Sequence, residues 1–369
     1  MIEFGLGLMG YHGCWDDAAF AEQHGFSTAG FVDSPLLGGD PFVCLGLAAR
    51  ATERMRIGTF LAIPSLRPAP TAAAAIATVG KLAPGRTFMA MGTGFTGRAV
   101  FGLPRVSASR LRDYAVQCRT LLDGDEIVYR EGRHERPIRF RHREGMYVES
   151  DERIPIYVAA DGPKALAVAG EVADGWVITL QYADVMANAA DVFAGSLAQV
   201  QQAAQAAGRS MLDAYKIYSA CICILGEGES AVSPRALEQV GMAAMMPFHA
   251  YADNPAIGPF LPPVLQERLP IYEREVLARF GAERDRFHQE THRGHLSHLL
   301  EGEAGVLTDE IVRMTTLTGT AQEIAATLGR MEEAGLTNVS FWIPPHLTRE
   351  VVLEVESQLI PLMMQTTRP

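Results

Sequence analysis

A (β/α)8 barrel with a mostly helical insertion after its seventh strand is the fold that this 369-residue sequence predicts. Three observations predict it. Residues 154–179, IPIYVAADGPKALAVAGEVADGWVIT, read as strand, turn, helix and strand with very short connections, the unit from which parallel sheet is made. Strand-like and helix-like segments alternate until eight strands have been counted, each followed eventually by a helix. The alternation then fails over 227–308 and returns afterwards, so the whole chain reads as one domain carrying an insertion. A doubly wound open sheet is the alternative architecture.

In the central unit, Pro155 to Ala159 is a short β-branched and aromatic run suited to a strand buried on both faces. Asp161-Gly162-Pro163 breaks it, with Pro at the first position of the next helix. Leu166, Ala169 and Val172 follow at helical spacing, Asp174-Gly175 stops the helix, and Trp176-Val177-Ile178 starts the next strand. The Asp161-Gly162 turn leaves free backbone N–H groups and a helix N-terminus at a strand's carboxyl end, where an anion is well held.

From the N-terminus, strands are expected at Phe4–Leu8, Ser27–Val32, Ile57–Ile63 and Thr87–Met91. Helices are expected at Trp15–Gln23, Pro41–Ala51, Pro70–Leu82 and Ser109–Leu122. Residues 126–148 break the rhythm, and YREGRHERPIRFRHREGMYV, with six arginines, suggests a surface β-excursion. Such a run is a solvated face or a basic lip for an acidic cofactor tail. A long Ala/Gln-rich helix, Asp184–Ala207, precedes a strand at Tyr215–Leu225. The irregular 227–308 is too long for a structureless loop and reads as helical lid. A helix at Ala321–Ala334, a strand at Asn338–Ile343 and a helix at Arg349–Gln358 complete the series.

Apolar residues make up 48% of the chain and charged residues 20%, enough for a sizeable core. A net charge of −11 argues against nucleic acid as the main partner, because phosphate binding needs a basic face. No apolar window is long enough for a membrane span, and MIEFGLGL reads as a first strand and not as a signal peptide. The five cysteines are odd in number and lack CxxC spacing, which fits a reducing cytoplasm.

Gly92-Thr93-Gly94-Phe95-Thr96-Gly97 matches GxGxxG after a strand, but Pro104 interrupts the segment where a phosphate-binding helix would run, and no acidic residue ends a following strand. These glycines let backbone approach something flat at the barrel mouth. His288, His292, His295 and His298 have helical spacing, so a metal-dependent barrel hydrolase is weighed. No HExxH is present, and no metal ligand is assigned. At the expected carboxyl ends of strands stand His12, Asp33, Ser34, Ile63, Thr93, Asp161, Thr179 and Tyr218. An apolar mouth with few acid–base groups suits a bound redox cofactor, which brings its own chemistry.

Three segments, FVDSPLLGGDPFVCLGLAARATERMRIGTFLAIP, PTAAAAIATVGKLAPGRTFMAMGTG and PIYVAADGPKALAVAGEVADGWVI, resemble in this order the bacterial luciferase-like flavin-dependent oxidoreductases, most closely the methylenetetrahydromethanopterin reductase branch. The resemblance covers most of 1–225 and resumes at 316–345. It implies reduced FMN or the deazaflavin coenzyme F420 at the barrel mouth. Ala160, Asp161, Gly162 and Pro163 would hold the cofactor phosphate, with Gly175 and Trp176 flanking it. Ala62-Ile63 matches the place of a bulge with a non-prolyl cis peptide behind the ring, and Gly92, Thr93 and Gly94 would lie along the ring edge or ribityl chain. Relatives with a catalytic His just after strand two contrast with Asp33-Ser34 here. The acid–base candidates are therefore His12, Asp33 and His295.

The expectation is a cytoplasmic homodimer acting on a small, fairly apolar substrate with reduced FMN and O2, supplied by a separate flavin reductase. F420-dependent hydride transfer is the alternative, and a cofactor-binding barrel without turnover is a third reading.

Overall fold

The computed structural model describes residues 2–142, 147–149, 151–180, 184–281 and 283–366. Eight parallel strands close on themselves: β1 (Glu3–Leu8), β2 (Thr28–Phe31), β3 (Arg56–Ala62), β4 (Thr87–Met91), β7 (Ile156–Ala159), β8 (Gly175–Ile178), β9 (Tyr215–Ile224) and β11 (Asn338–Trp342), with β11 pairing back onto β1. Among the described residues seven α-helices precede β9: α1 (Cys14–Gln23), α2 (Pro41–Ala51), α3 (Ala69–Leu82), the short α4 (Thr96–Ala99), α5 (Ala108–Leu122), α6 (Pro163–Val172) and α7 (Val185–Ala206). This is the (β/α)8 barrel expected from the alternation.

Local rules explain the boundaries. Asp40 caps α2 by accepting from the Phe42 and Val43 amides, with Pro41 at the first helical position. Thr320 and Glu323 form a reciprocal capping box at the start of the helix Ala321–Glu333. The strands are buried on both faces, so they read as continuous apolar runs. One apolar core fills the space between strands and helices.

A second core fills the barrel itself, with Phe60, Phe88, Tyr157, Val177 and Ile217 at its centre. Phe88 stacks on Tyr157 at 5.2 Å and Phe60 on Trp342 at 5.2 Å. Glycines on neighbouring strands admit these rings: a Cβ on Gly30 would stand 2.4 Å from that of Phe60. At the amino end of the barrel, Tyr215 donates to Glu3 Oε2 at 2.6 Å and lies under the Arg56 guanidinium.

The expected surface β-excursion and helical insertion are both present, and one short strand is added to the sequence reading. The arginine-rich run forms an antiparallel hairpin, β5 (Ile127–Glu131) with β6 (His134–Ile138), and none of its described residues lines the cavity below; residues 143–146 lie outside the described set. A short strand β10 (Leu317–Gly319) pairs with the last residues of β9, beyond the point where β11 ends. Its three residues are too few to carry a period. Between β9 and β10 the chain forms short α, 3-10 and π segments from Pro234 to Thr315, around an apolar core that includes Val240, Met245, Phe248 and Tyr272. Val32, from the end of β2, belongs to that core, so it packs over the barrel mouth.

Candidate functional site

The strands' carboxyl ends open into a cavity of about 1240 Å³, counting its mouth. Phe60, Val177 and Trp342 form its floor. Asp33, Ser34, Ile63 and the Gly94–Gly97 backbone form one wall, and Thr179, Leu180 and Tyr218 another. Met246, Pro247, His295 and Leu296 descend from the insertion as a roof. Trp342 is held by its Nε1–H, which donates to Ser219 Oγ at 2.5 Å.

Asp33 and His295 are brought together in this cavity, and His12 is not. His12 is exposed and packs on Trp15, with ring centroids 5.5 Å apart. Glycine at position 13, in the left-handed region at φ 95°, begins α1 and directs the preceding residue outward. Asp33 is 2% exposed; its Oδ1 lies 3.5 Å from the Arg67 guanidinium, and its Oδ2 is buried with no partner. Burial raises its carboxyl above the usual range, more than Arg67 lowers it. Arg67 is shared, and its stronger contact is to Asp40 at 2.6 Å. His295 is held well below the ordinary histidine range, first by burial and then by His292 and His249. Its resting imidazole is neutral.

The turn after β7 is built as a rim. Asp161 Oδ1 accepts from the Thr179 and Leu180 amides and Oδ2 from the Thr179 hydroxyl, each at 2.9 Å. These bonds tie the β7 turn to the end of β8 and hold Leu180 at φ 54°, a left-handed conformation that leucine rarely adopts. Leu296, in the roof, has φ 55°. Two such residues facing one cavity fit the tendency of backbone strain to concentrate at functional sites. Gly162, N-cap of α6, has no side-chain cap, and a Cβ there would meet nothing within 4 Å. The α6 N-terminus is thus open beside the cavity, with Pro163 as its first residue.

Other expected cofactor residues separate. Ile63 and Gly94 line the cavity. Ala62 is buried in the β3–β4 ladder, its carbonyl accepting from the Gly92 amide at 3.0 Å. The Thr93 carbonyl accepts from Val106, and neither Gly92 nor Thr93 is a lining residue. The non-prolyl cis peptide is Phe60–Leu61, not Ala62–Ile63, and the β3–β4 pairing shifts register between Thr59 and Ala62. Trp176 points outward from the barrel: it stacks on Phe193 at 5.4 Å, and its Nε1–H donates to the Ala160 carbonyl at 2.9 Å. It braces the rim from behind. Gly175 opens β8 at the barrel's other end, where a Cβ would come within 2.4 Å of Tyr157 Cδ1, so its role is packing.

Sequence reasoning missed Arg67 and Arg105. Arg105 lies over the Phe95 ring at 4.4 Å and its charge reaches Asp161, placing a cation near the α6 rim. It also missed His249, Asp253 and Glu303, which surround His292 and His295 in the roof. Among the described residues, no three His, Cys, Asp or Glu side chains form a metal-binding group, and no helix is long and apolar enough to cross a membrane.

Residues 10–338 match the family described as luciferase-like monooxygenase. The chain is 35% identical over 174 residues to an F420-dependent glucose-6-phosphate dehydrogenase of Beutenbergia cavernae, covering 43% of this chain and 50% of that one. It is 33% identical over 176 residues to an F420-dependent hydroxymycolic acid dehydrogenase of Mycobacterium tuberculosis, covering 46% and 45%. The chain thus spans about half the length of the curated relatives it matches. Among solved structures, the coenzyme F420-dependent tetrahydromethanopterin reductase of Methanopyrus kandleri superposes with a TM-score of 0.65 at 19% identity, covering 98% of this chain and 99% of that one. An FMN complex of the oxygenating constituent of 3,6-diketocamphane monooxygenase from Pseudomonas putida superposes with a TM-score of 0.60 at 12% identity, covering 98% of each. At these identities the likeness is one of fold.

Proposed function

The chain belongs to the luciferase-like monooxygenase family, and from that premise we propose that it transfers a hydride between coenzyme F420 and an uncharged, largely apolar alcohol or carbonyl compound. The observation that carries the choice of cofactor is that the relatives named above are F420-dependent enzymes. They weigh against the sequence-based preference for reduced FMN and O2, which rested on Ser34 standing where a histidine was expected.

The site suits such a group. The open α6 N-terminus at Gly162-Pro163, with Arg105 nearby, can take an anionic phosphate. Gly94 and Gly97 let the wall pack closely on Ile63, since a Cβ on either would press against that side chain, at 2.7 and 2.4 Å. When bound, the deazaflavin supplies hydride chemistry. The protein's part is to orient the substrate over Phe60 and Trp342, to exclude water, and to hold a proton on the His295 imidazole.

The substrate class follows from the lining. Among the described residues it contains Asp33, His295 and Tyr218 but no lysine or arginine. A sugar phosphate, as in the Beutenbergia relative's name, would bury a dianion there without a cation. Apolar alcohols and ketones meet no such penalty.

Side-by-side titration of the apoprotein with F420, FMN and reduced FMN tests the cofactor. Tight F420 binding followed by reduction on adding an apolar secondary alcohol is the expected result. Preferential binding of reduced FMN with O2 consumption would return the reading to a monooxygenase.

A further inference from the structure

Three histidines meet in the roof. The His295 ring lies 6.1 Å from that of His292, and His292 lies 5.6 Å from His249, each pair nearly perpendicular. His292 is 1% exposed, and its Nε2 is 2.8 Å from Asp253 Oδ2. His249 Nε2 is 2.7 Å from Glu303 Oε1. The Nδ1 atoms of His249 and His292 and the hydroxyl of Tyr272 are all buried without a partner. A cluster of unpaired buried polar atoms is costly unless it serves a purpose or holds ordered water.

The two carboxylates differ in where they lead. Glu303 is 1% exposed, and its second oxygen accepts from the Leu300 amide at 2.7 Å. That branch is closed. The Asp253 side chain is 22% exposed and reaches the surface of the insertion. A series of polar groups therefore runs from the cavity through His295, His292 and Asp253 to solvent, with a gap of 6.1 Å between the first two ring centroids.

We propose that His292 and Asp253 form the route by which His295 exchanges its proton with solvent while the cavity stays closed. The proposal rests on the reading of His295 given above. In the oxidative direction the alcohol's C–H bond breaks with its electron pair going to F420 as hydride, and the O–H proton passes to a His295 nitrogen. Reduction runs both transfers backwards. Each turnover leaves His295 in the wrong protonation state, and a roof that excludes water removes the direct way to reset it. The spacing of 6.1 Å between centroids is spanned by one hydrogen-bonded water or a ring rotation. The groups facing His292 are His249, His295 and Asp253, with the Phe95 ring at 5.7 Å on its cavity side. Neither His292 nor Asp253 touches substrate; both act through His295.

The test uses Asp253→Asn, with Asp253→Glu as the conservative rescue and Glu303→Gln as the control for the closed branch. Imidazole ¹⁵N NMR of the cofactor-free protein reads proton exchange of His295 with solvent. The expected result is slowing by at least tenfold in Asp253→Asn, recovery in Asp253→Glu, and little change in Glu303→Gln. With F420 and an apolar alcohol, Asp253→Asn should lower kcat and enlarge the solvent deuterium isotope effect at unchanged cofactor affinity. Unchanged His295 exchange in Asp253→Asn, or equal slowing in Glu303→Gln, overturns the proposal. Stoichiometric metal in the purified protein that is lost in His292→Ala overturns it as well. Failure of the wild type to bind F420 would sink the functional reading alone, since the exchange measurement needs no cofactor.

Discussion

The carboxylate of Asp161 is gripped by Thr179 at both ends: Oδ1 accepts the Thr179 amide and Oδ2 the Thr179 hydroxyl, each at 2.9 Å. With the Leu180 amide on Oδ1 as well, one side chain joins two βα turns and sets the distance between the cavity wall and the α6 rim. Asp161→Ala removes all three bonds. At about 1 kcal/mol net per hydrogen bond, discounted for exposure at the rim, the expected loss is roughly 1–2 kcal/mol of stability. Leu180 is also released from its left-handed conformation, so F420 affinity should fall with it. Thr179→Val loses the hydroxyl bond alone and should sit between wild type and Asp161→Ala in both urea midpoint and fluorescence titration.

Gly162→Asp separates binding from folding. Gly162 has φ −96° and open space around a new Cβ, so the substitution introduces no strain. Aspartate is a good N-cap and should leave stability unchanged or a few tenths of a kcal/mol higher. The same carboxylate would occupy the α6 N–H groups and repel a phosphate. Cofactor affinity is expected to drop at least tenfold, about 1.4 kcal/mol. Equal affinity in wild type and variant at unaltered melting temperature would move the phosphate away from this turn.

What the sequence made legible was what depends on near neighbours along the chain. The strand–turn–helix–strand unit at 154–179 has every boundary signal within a few residues, and Asp161, Gly162 and Pro163 emerge on one rim as expected. Gly175 took its flanking role from the resemblance alone; its place ahead of Trp176-Val177-Ile178 already marks the strand's amino end, and the β7–β8 register sets it opposite Tyr157 there. The cis bond lies two residues before Ala62 because the β3–β4 bulge is set by cross-strand pairing. The roof was least legible. His292 and Asp253 are 39 residues apart, and His249 and Glu303 are 54 apart, in short helices with no sustained period.

Asp33 gives a pH signature of its own. Burial raises its folded pKa, so the native protein holds that proton more tightly than the unfolded chain. Its contribution to stability is therefore present below the unfolded value, near pH 4, and is lost as pH rises through the folded value. Asp33→Asn cannot ionise and escapes that loss, while Arg67 keeps Asp40 as its partner. The stability difference, variant minus wild type, should grow in the variant's favour between pH 4 and pH 7 in urea denaturation. A difference that shrinks over that interval would mean that the Arg67 contact outweighs the burial cost.

His295 should show the opposite slope. Its folded pKa is depressed, so as pH falls below about 6.5 the unfolded chain takes a proton that the native state refuses. Wild-type stability is then lost at up to about 1.4 kcal/mol per pH unit from this group, from that point down to the folded pKa. His295→Gln carries no such proton. His249 and His292 are present in both proteins, so subtracting the two pH profiles leaves the His295 proton together with its coupling to those two rings. The expected difference is flat above pH 7 and moves in the variant's favour below pH 6.5. A flat difference throughout would mean that His295 takes up a proton as easily in the folded protein as in water, and that burial does not hold its imidazole neutral.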